Sequence, residues 1–100
     1  MAKLIVIYEK PKDVEGFEKH YFGIHMPLAR KFPKLTGASA LRVVSAQNTD
    51  REPYLVVEAE FGSADDLRAA LASAEGQAVT EDVANLIPFL HRPPVILIAE

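Results

Sequence analysis

The chain has 100 residues, 49% of them hydrophobic and 25% charged, with a net charge of −3 and no cysteine. That is one domain's worth of chain, able to bury a core without staples, and disulfides and thiolate metal sites are excluded. The weak negative charge, with no stripe of Lys and Arg, argues against a nucleic-acid partner; MAKLIVIYE is too short an apolar run for a signal-peptide core or a membrane span, so a cytoplasmic protein with no membrane partner is expected.

Lys3 to Tyr8, KLIVIY, is apolar on both alternating sets and reads as a strand buried on both faces. Asp13 is placed to cap a helix, with Glu15 in its first turn where the dipole favours a carboxylate. Phe17, Tyr21, Ile24 and Leu28 then recur at steps of four, three and four, the stripe of one helix face. On an α-helix, His20 falls on one flank of that stripe and His25 on the other. Pro27 lacks the N–H that would bond to the Gly23 carbonyl. A kink or restart is therefore expected near Met26, with Met26 itself pushed out of the helical region.

The second strand is read at Ala38 to Ala46 and the third at Tyr54 to Phe61, joined as a hairpin by the polar segment Gln47 to Pro53. In that hairpin Arg42 is expected near Glu58 on the same face. Ser63 with Asp66 forms a reciprocal cap, and Leu67, Ala70 and Leu71 give the next helix an apolar side. Ser73 to Gln77 looks like a break and a second cap, after which Val79, Val83 and Leu86 face inward until Pro88. Val95 to Ala99 is the last strand.

The order is therefore βαββαβ, a ferredoxin-like α+β fold: an antiparallel four-stranded sheet with helices on one face. The other face keeps apolar residues from the first and last strands. A second subunit packed sheet to sheet, as a homodimer, is the arrangement that removes that patch from water.

Tyr8, Pro11, Asp13, Phe17, Tyr21, His25, Pro27-Leu28, Pro33 and Leu35 together read Y-x-x-P-x-D-x-x-x-F-x-x-x-Y-x-x-x-H-x-P-L-x-x-x-x-P-x-L. This resembles the opening half of the EthD family, small members of the dimeric α/β-barrel superfamily. The Glu75-Gly76-Gln77 turn and its helix resemble the family's second half, while the proline-rich FLHRPPVILIAE departs from it. The resemblance implies a ferredoxin-like subunit dimerised through its sheet into a barrel. The wider superfamily holds isomerases, cyclases, cofactor-free monooxygenases and haem-binding proteins, so no one reaction follows.

His25 is the candidate catalytic residue. It lies one turn from Tyr21, beside the expected kink, where a histidine can serve as general acid or base. The alternative is a buried histidine bonded to backbone carbonyls loosened by Pro27. Tyr8 and Tyr21 are the candidate substrate-binding residues, able to offer hydroxyl donors to a carbonyl or phenolate, or else core fillers. His20 is read as a surface or half-buried histidine and His91 is given no role. The pair His20 and His25 lacks the i, i+4 spacing of a two-histidine metal site. No Gly-rich phosphate loop or nucleophile elbow is present, so no cofactor is indicated.

The expectation is a mostly apolar pocket between the first helix and the sheet, taking a small hydrophobic ligand. It would serve a cofactor-free isomerase, cyclase or decarboxylase, or else a non-catalytic accessory to an oxygenase; haem binding through His25 is a third reading.

Overall fold

The computed structural model describes residues 1–100. Alternation along the first strand, β1 (Ala2–Glu9), divides it between two environments. Ala2, Leu4, Val6 and Tyr8 point to the helices, and Ala2 and Tyr8 are fully buried there. β3 (Pro53–Phe61) pairs antiparallel with β1, Ala2 opposite Phe61 and Tyr8 opposite Leu55, so Leu55, Val57, Ala59 and Phe61 join the same face. β4 (Val95–Ala99) lies along the other side of β1 with Ile96 opposite Val6 and Ile98 opposite Leu4. β2 (Leu35–Arg42) is the far edge strand, giving the order β2-β3-β1-β4. This is the expected α+β ferredoxin-like sheet, with its helices on one face.

The pairing of Arg42 with Glu58 does not occur. β2 begins at Leu35, not Ala38, and its register sets Ser39 opposite Glu58 and Arg42 opposite Leu55. A strand's side chains alternate, so an offset of one residue moves a side chain to the other face. Arg42 thus stands on the helix face, where its Nη2 and Nε bond to both carboxylate oxygens of Glu18 at 2.6 and 3.0 Å. Its guanidinium lies 5.0 Å from the Phe22 ring centroid. The Tyr54 hydroxyl also donates to Glu18. Glu58 is on the helix-free face and bonds Lys3 at 2.9 Å. The apolar residues of that face include Ile5, Ile7, Leu41, Val56 and Leu97, with Leu41 and Leu97 exposed.

The first helix starts as read. In α1 (Val14–His20) Asp13 accepts from the Gly16 N–H at 2.9 Å. The restart expected near Met26 occurs, but the chain stays helical through it. A π-turn, Tyr21–His25, is followed directly by α2 (Met26–Ala29), and Met26 stays helical at φ −61° and ψ −43°. The Met26 N–H reaches back five residues to the Tyr21 carbonyl. The extra residue in this turn restarts the helix so that Pro27 lies in the first turn of α2. There its missing N–H leaves no bond unmade.

Ser73 both ends α3 (Ala64–Ala72) and caps α4 (Ala74–Leu86), its Oγ donating to the Ala70 carbonyl and accepting from the Gly76 N–H. Gly76 sits so close to the end of α3 that a Cβ would be 2.1 Å from the Ala70 carbonyl oxygen. The buried side chains form two groups. One holds Phe32, Phe61, Leu67, Ala70 and Val79; the other holds Tyr8, Phe17, Tyr21, Leu55 and Leu86. A cavity of about 240 Å³ lies where the two meet, over β1 and β4.

Candidate functional site

The inward stripe of α4 contains one residue that is not apolar. Gly76, Val79, Asp82 and Leu86 are its buried positions, and Asp82 is only 5% exposed. A carboxylate there needs partners, and it has three. His25 Nδ1 lies 2.9 Å from Asp82 Oδ2, His20 Nε2 lies 3.0 Å from both carboxylate oxygens, and Asn85 Nδ2 donates to Oδ1 at 2.9 Å. Burial alone would push the Asp82 carboxyl up. The hydrogen bonds from Asn85, His25 and His20 outweigh it, so its pKa is lowered and the group is an anion at neutral pH.

Sequence spacing placed His20 and His25 on opposite flanks, yet both reach one carboxylate. The reason is the π-turn. Five residues of α-helix advance about 500°, which leaves the two side chains about 140° apart. A π-turn closes on the fifth residue, so five residues come close to one full turn and the two imidazoles lie on the same side. His20 is therefore not simply a solvated surface residue: its side chain is 18% exposed and held by Asp82.

His25 is buried, 5% exposed. A carboxylate accepts and does not donate, so the neutral ring must carry its proton on Nδ1, leaving the Nε2 lone pair free. Burial lowers its pKa, and His20 adds to that; the hydrogen bond and charge of Asp82 pull the other way without cancelling it. His25 is thus a neutral base at pH 7, oriented by an anion. Its partner is Asp82, not the loosened backbone carbonyls.

The His25 ring lines the 240 Å³ cavity with Tyr8, and the other lining residues are mostly aliphatic, among them Leu4, Val6, Val79, Val83, Ile96 and Ile98. Ile96 and Ile98 are 59% and 57% exposed because no helix extends over the edge strand β4; they form the open side. Burial, followed by Tyr21 and Asp82, raises the pKa of the Tyr8 hydroxyl, which stays protonated as a donor. Tyr21 is 1% exposed and packs behind the cavity wall, its ring 5.4 Å from His25 and 5.6 Å from Tyr8. His91 lies apart, beside Glu9, Lys10, Lys12 and Arg92 in an open surface groove.

Asp82 and Asn85 were not picked out from the sequence. The available signal was an acid three residues after Val79 and four before Leu86, inside an apolar stripe. Both imidazoles spend a nitrogen on Asp82, and no three His, Asp or Glu side chains converge as metal ligands. The enclosed volume of about 240 Å³ is below the usual 300–1,000 Å³ of pockets for drug-sized ligands, so it favours a small ligand over haem.

Comparison with known proteins gives a match to the EthD domain over residues 9–89. An uncharacterised 11.0 kDa protein from the thcB–thcC intergenic region of Rhodococcus erythropolis is 31% identical over 85 residues, covering 85% of this chain and 82% of that one. The crystal structure of an EthD family protein from Bacillus halodurans matches with a TM-score of 0.87 and 33% identity, over 100% of this chain and 97% of that one. SnoaB, a cofactor-independent oxygenase from Streptomyces nogalater, matches with a TM-score of 0.68 and 15% identity over 99% and 90% of the two chains, a likeness of fold.

Proposed function

The chain belongs to the EthD family, and on that premise we propose that it is a small homodimer whose cavity binds a small hydrophobic carbonyl or aromatic compound and moves a proton on it without a cofactor. The observation that carries the reading is a neutral, anion-oriented imidazole facing an apolar cavity beside a protonated phenol. His25 Nε2 takes a proton from a carbon next to the carbonyl, and the Tyr8 hydroxyl donates to the carbonyl oxygen as charge develops there. Tyr21 fixes the plane of the His25 ring. Isomerisation, cyclisation and decarboxylation all use such a pair. A volume of about 240 Å³ equals that of about eight waters at 30 Å³ each, which suits a single-ring compound. The dimer rests on the helix-free sheet face, whose exposed Leu41 and Leu97 a second copy would cover.

The test is solvent exchange. A panel of small cyclic ketones and lactones is incubated with the protein in deuterated water, and label next to the carbonyl is followed by NMR. Wild type should catalyse the exchange and His25→Gln should lose about 10²- to 10⁴-fold of the rate. Equal rates in the two, with binding of the same compounds retained, would replace this reading with that of a protein that binds its ligand without converting it.

A further inference from the structure

The resting site holds two imidazoles and one carboxylate, and only one of the imidazoles faces the cavity. His20 opens instead on the outer surface, in a groove with Gly16, Lys19, Gly23, Ile24 and Phe89. Asp82 stands between the two and is the sole anion bonded to either. We infer that His20 is a positioning residue for proton chemistry at His25: the two rings share the single charge of Asp82, so that a proton gained by His25 inside disfavours one on His20 outside.

One carboxylate compensates one cation. A cation is penalised by burial, and His25 is far more enclosed than His20 (side chains 7% and 18% exposed). His20 Nε2 lies against Asp82 while the residue lines the outer groove, so it is the ring of the two that can exchange a proton with water. When His25 Nε2 accepts a proton from the substrate carbon, the C–H electron pair stays on the substrate as an enolate. His25 becomes the cation against Asp82, and a second proton on His20 is then disfavoured because the one carboxylate is already compensated. Asp82 remains a carboxylate throughout, and no proton passes through it. The other groups facing this cluster do not disturb the exchange. Asn85 on α4 is neutral, Tyr8 from β1 and Tyr21 from the π-turn are phenols whose pKa values are raised by burial, and Lys19 lies on the groove wall without pairing to Asp82.

That protons are exchanged with a substrate rests on the proposed function; the coupling between the two histidines does not, and it is measured without substrate. The ring Cε1–H signals are titrated by NMR in wild type, His20→Gln and His25→Gln. Removing His20 should raise the His25 midpoint by about 1 pH unit, the size expected for unit charges sharing one partly buried partner. Coupling is reciprocal, so His25→Gln should raise the His20 midpoint equally, and either variant suffices if the other does not fold. Midpoints within about 0.2 unit of wild type would overturn the inference. In the exchange assay, His20→Gln should shift the acid limb of the pH–rate profile up by the same amount, whereas a merely loosened fold would lower the rate without moving the limb. Uncoupled histidines together with a dead His25→Gln variant would leave the proposed function standing and remove this inference. Coupled histidines with exchange indifferent to His25 would do the reverse.

Discussion

Replacing Asp82 with Ala removes the one acceptor that His20, His25 and Asn85 share. Two effects oppose each other. Burying a carboxylate carries a desolvation penalty of several kcal/mol, which its removal relieves. Against that, His25 is 5% exposed, and a buried donor left without a partner costs about 1–3 kcal/mol. His20 and Asn85 can both turn to water, so each forfeits about 0.5–1.5 kcal/mol for its bond. The Asp82 pKa is lowered despite burial, which means that the bonds outweigh the desolvation in the folded state. The expected net loss for Asp82→Ala is therefore about 2–4 kcal/mol, somewhat below the 3–5 seen when a fully buried pair is broken, because His20 is partly open. Asp82→Asn keeps the shape and one acceptor for His25 and should lose about half as much. Urea unfolding followed by far-UV circular dichroism at pH 7.5 measures both. An alanine variant as stable as wild type, or more so, would mean that desolvation wins and that the reasoning about this cluster is wrong.

Stability should also fall on mild acidification. The pKa of folded His25 is lowered from 6.5, so below about 6.5 the unfolded chain takes up a proton that the folded one resists, and stability declines as pH drops toward the folded value. His25→Gln should flatten that stretch of the curve, and an unchanged slope between pH 7 and 5 would count against it. Gly76→Ala should lower stability by about 2–3 kcal/mol through overpacking, since its Cβ meets the Ala70 carbonyl oxygen at 2.1 Å. In an open helix the same change would gain up to about 1 kcal/mol, so the sign of the shift in Tm decides the matter. Leu97→Asp, on the helix-free face of β4, should yield a folded monomer by analytical ultracentrifugation if the sheet face is the dimer contact; an undiminished dimer would place the contact elsewhere.

The sequence by itself determined the elements whose bonds close within a few residues. Asp13, Ser63 and Ser73 are legible as caps because each side chain accepts from an N–H three positions on. The alternating faces of β1 and β3, and the order of strands and helices, follow from periods of two and of about three and a half residues. That is enough to give the ferredoxin-like topology and the EthD resemblance. His25, Tyr8 and Tyr21 could be named as candidates for the same reason, since they stand at readable positions on a strand and a helix stripe.

Tertiary structure decided what those residues touch. The partner of Arg42 changed from Glu58 to Glu18 because the register sets Arg42 opposite Leu55, three residues from Glu58, and an odd offset puts the two on opposite faces. His20 joined His25 because a π-turn precedes the restart at Met26, and the 100° step on which the flank assignment relied no longer held. Asp82 is 57 and 62 residues from the two histidines. No local period links positions that far apart, and the cluster exists only once α4 is packed against the first helix. Charge in a low-dielectric interior is a property of that assembled neighbourhood, so the site's protonation state belongs to the fold and not to any one stretch of the chain.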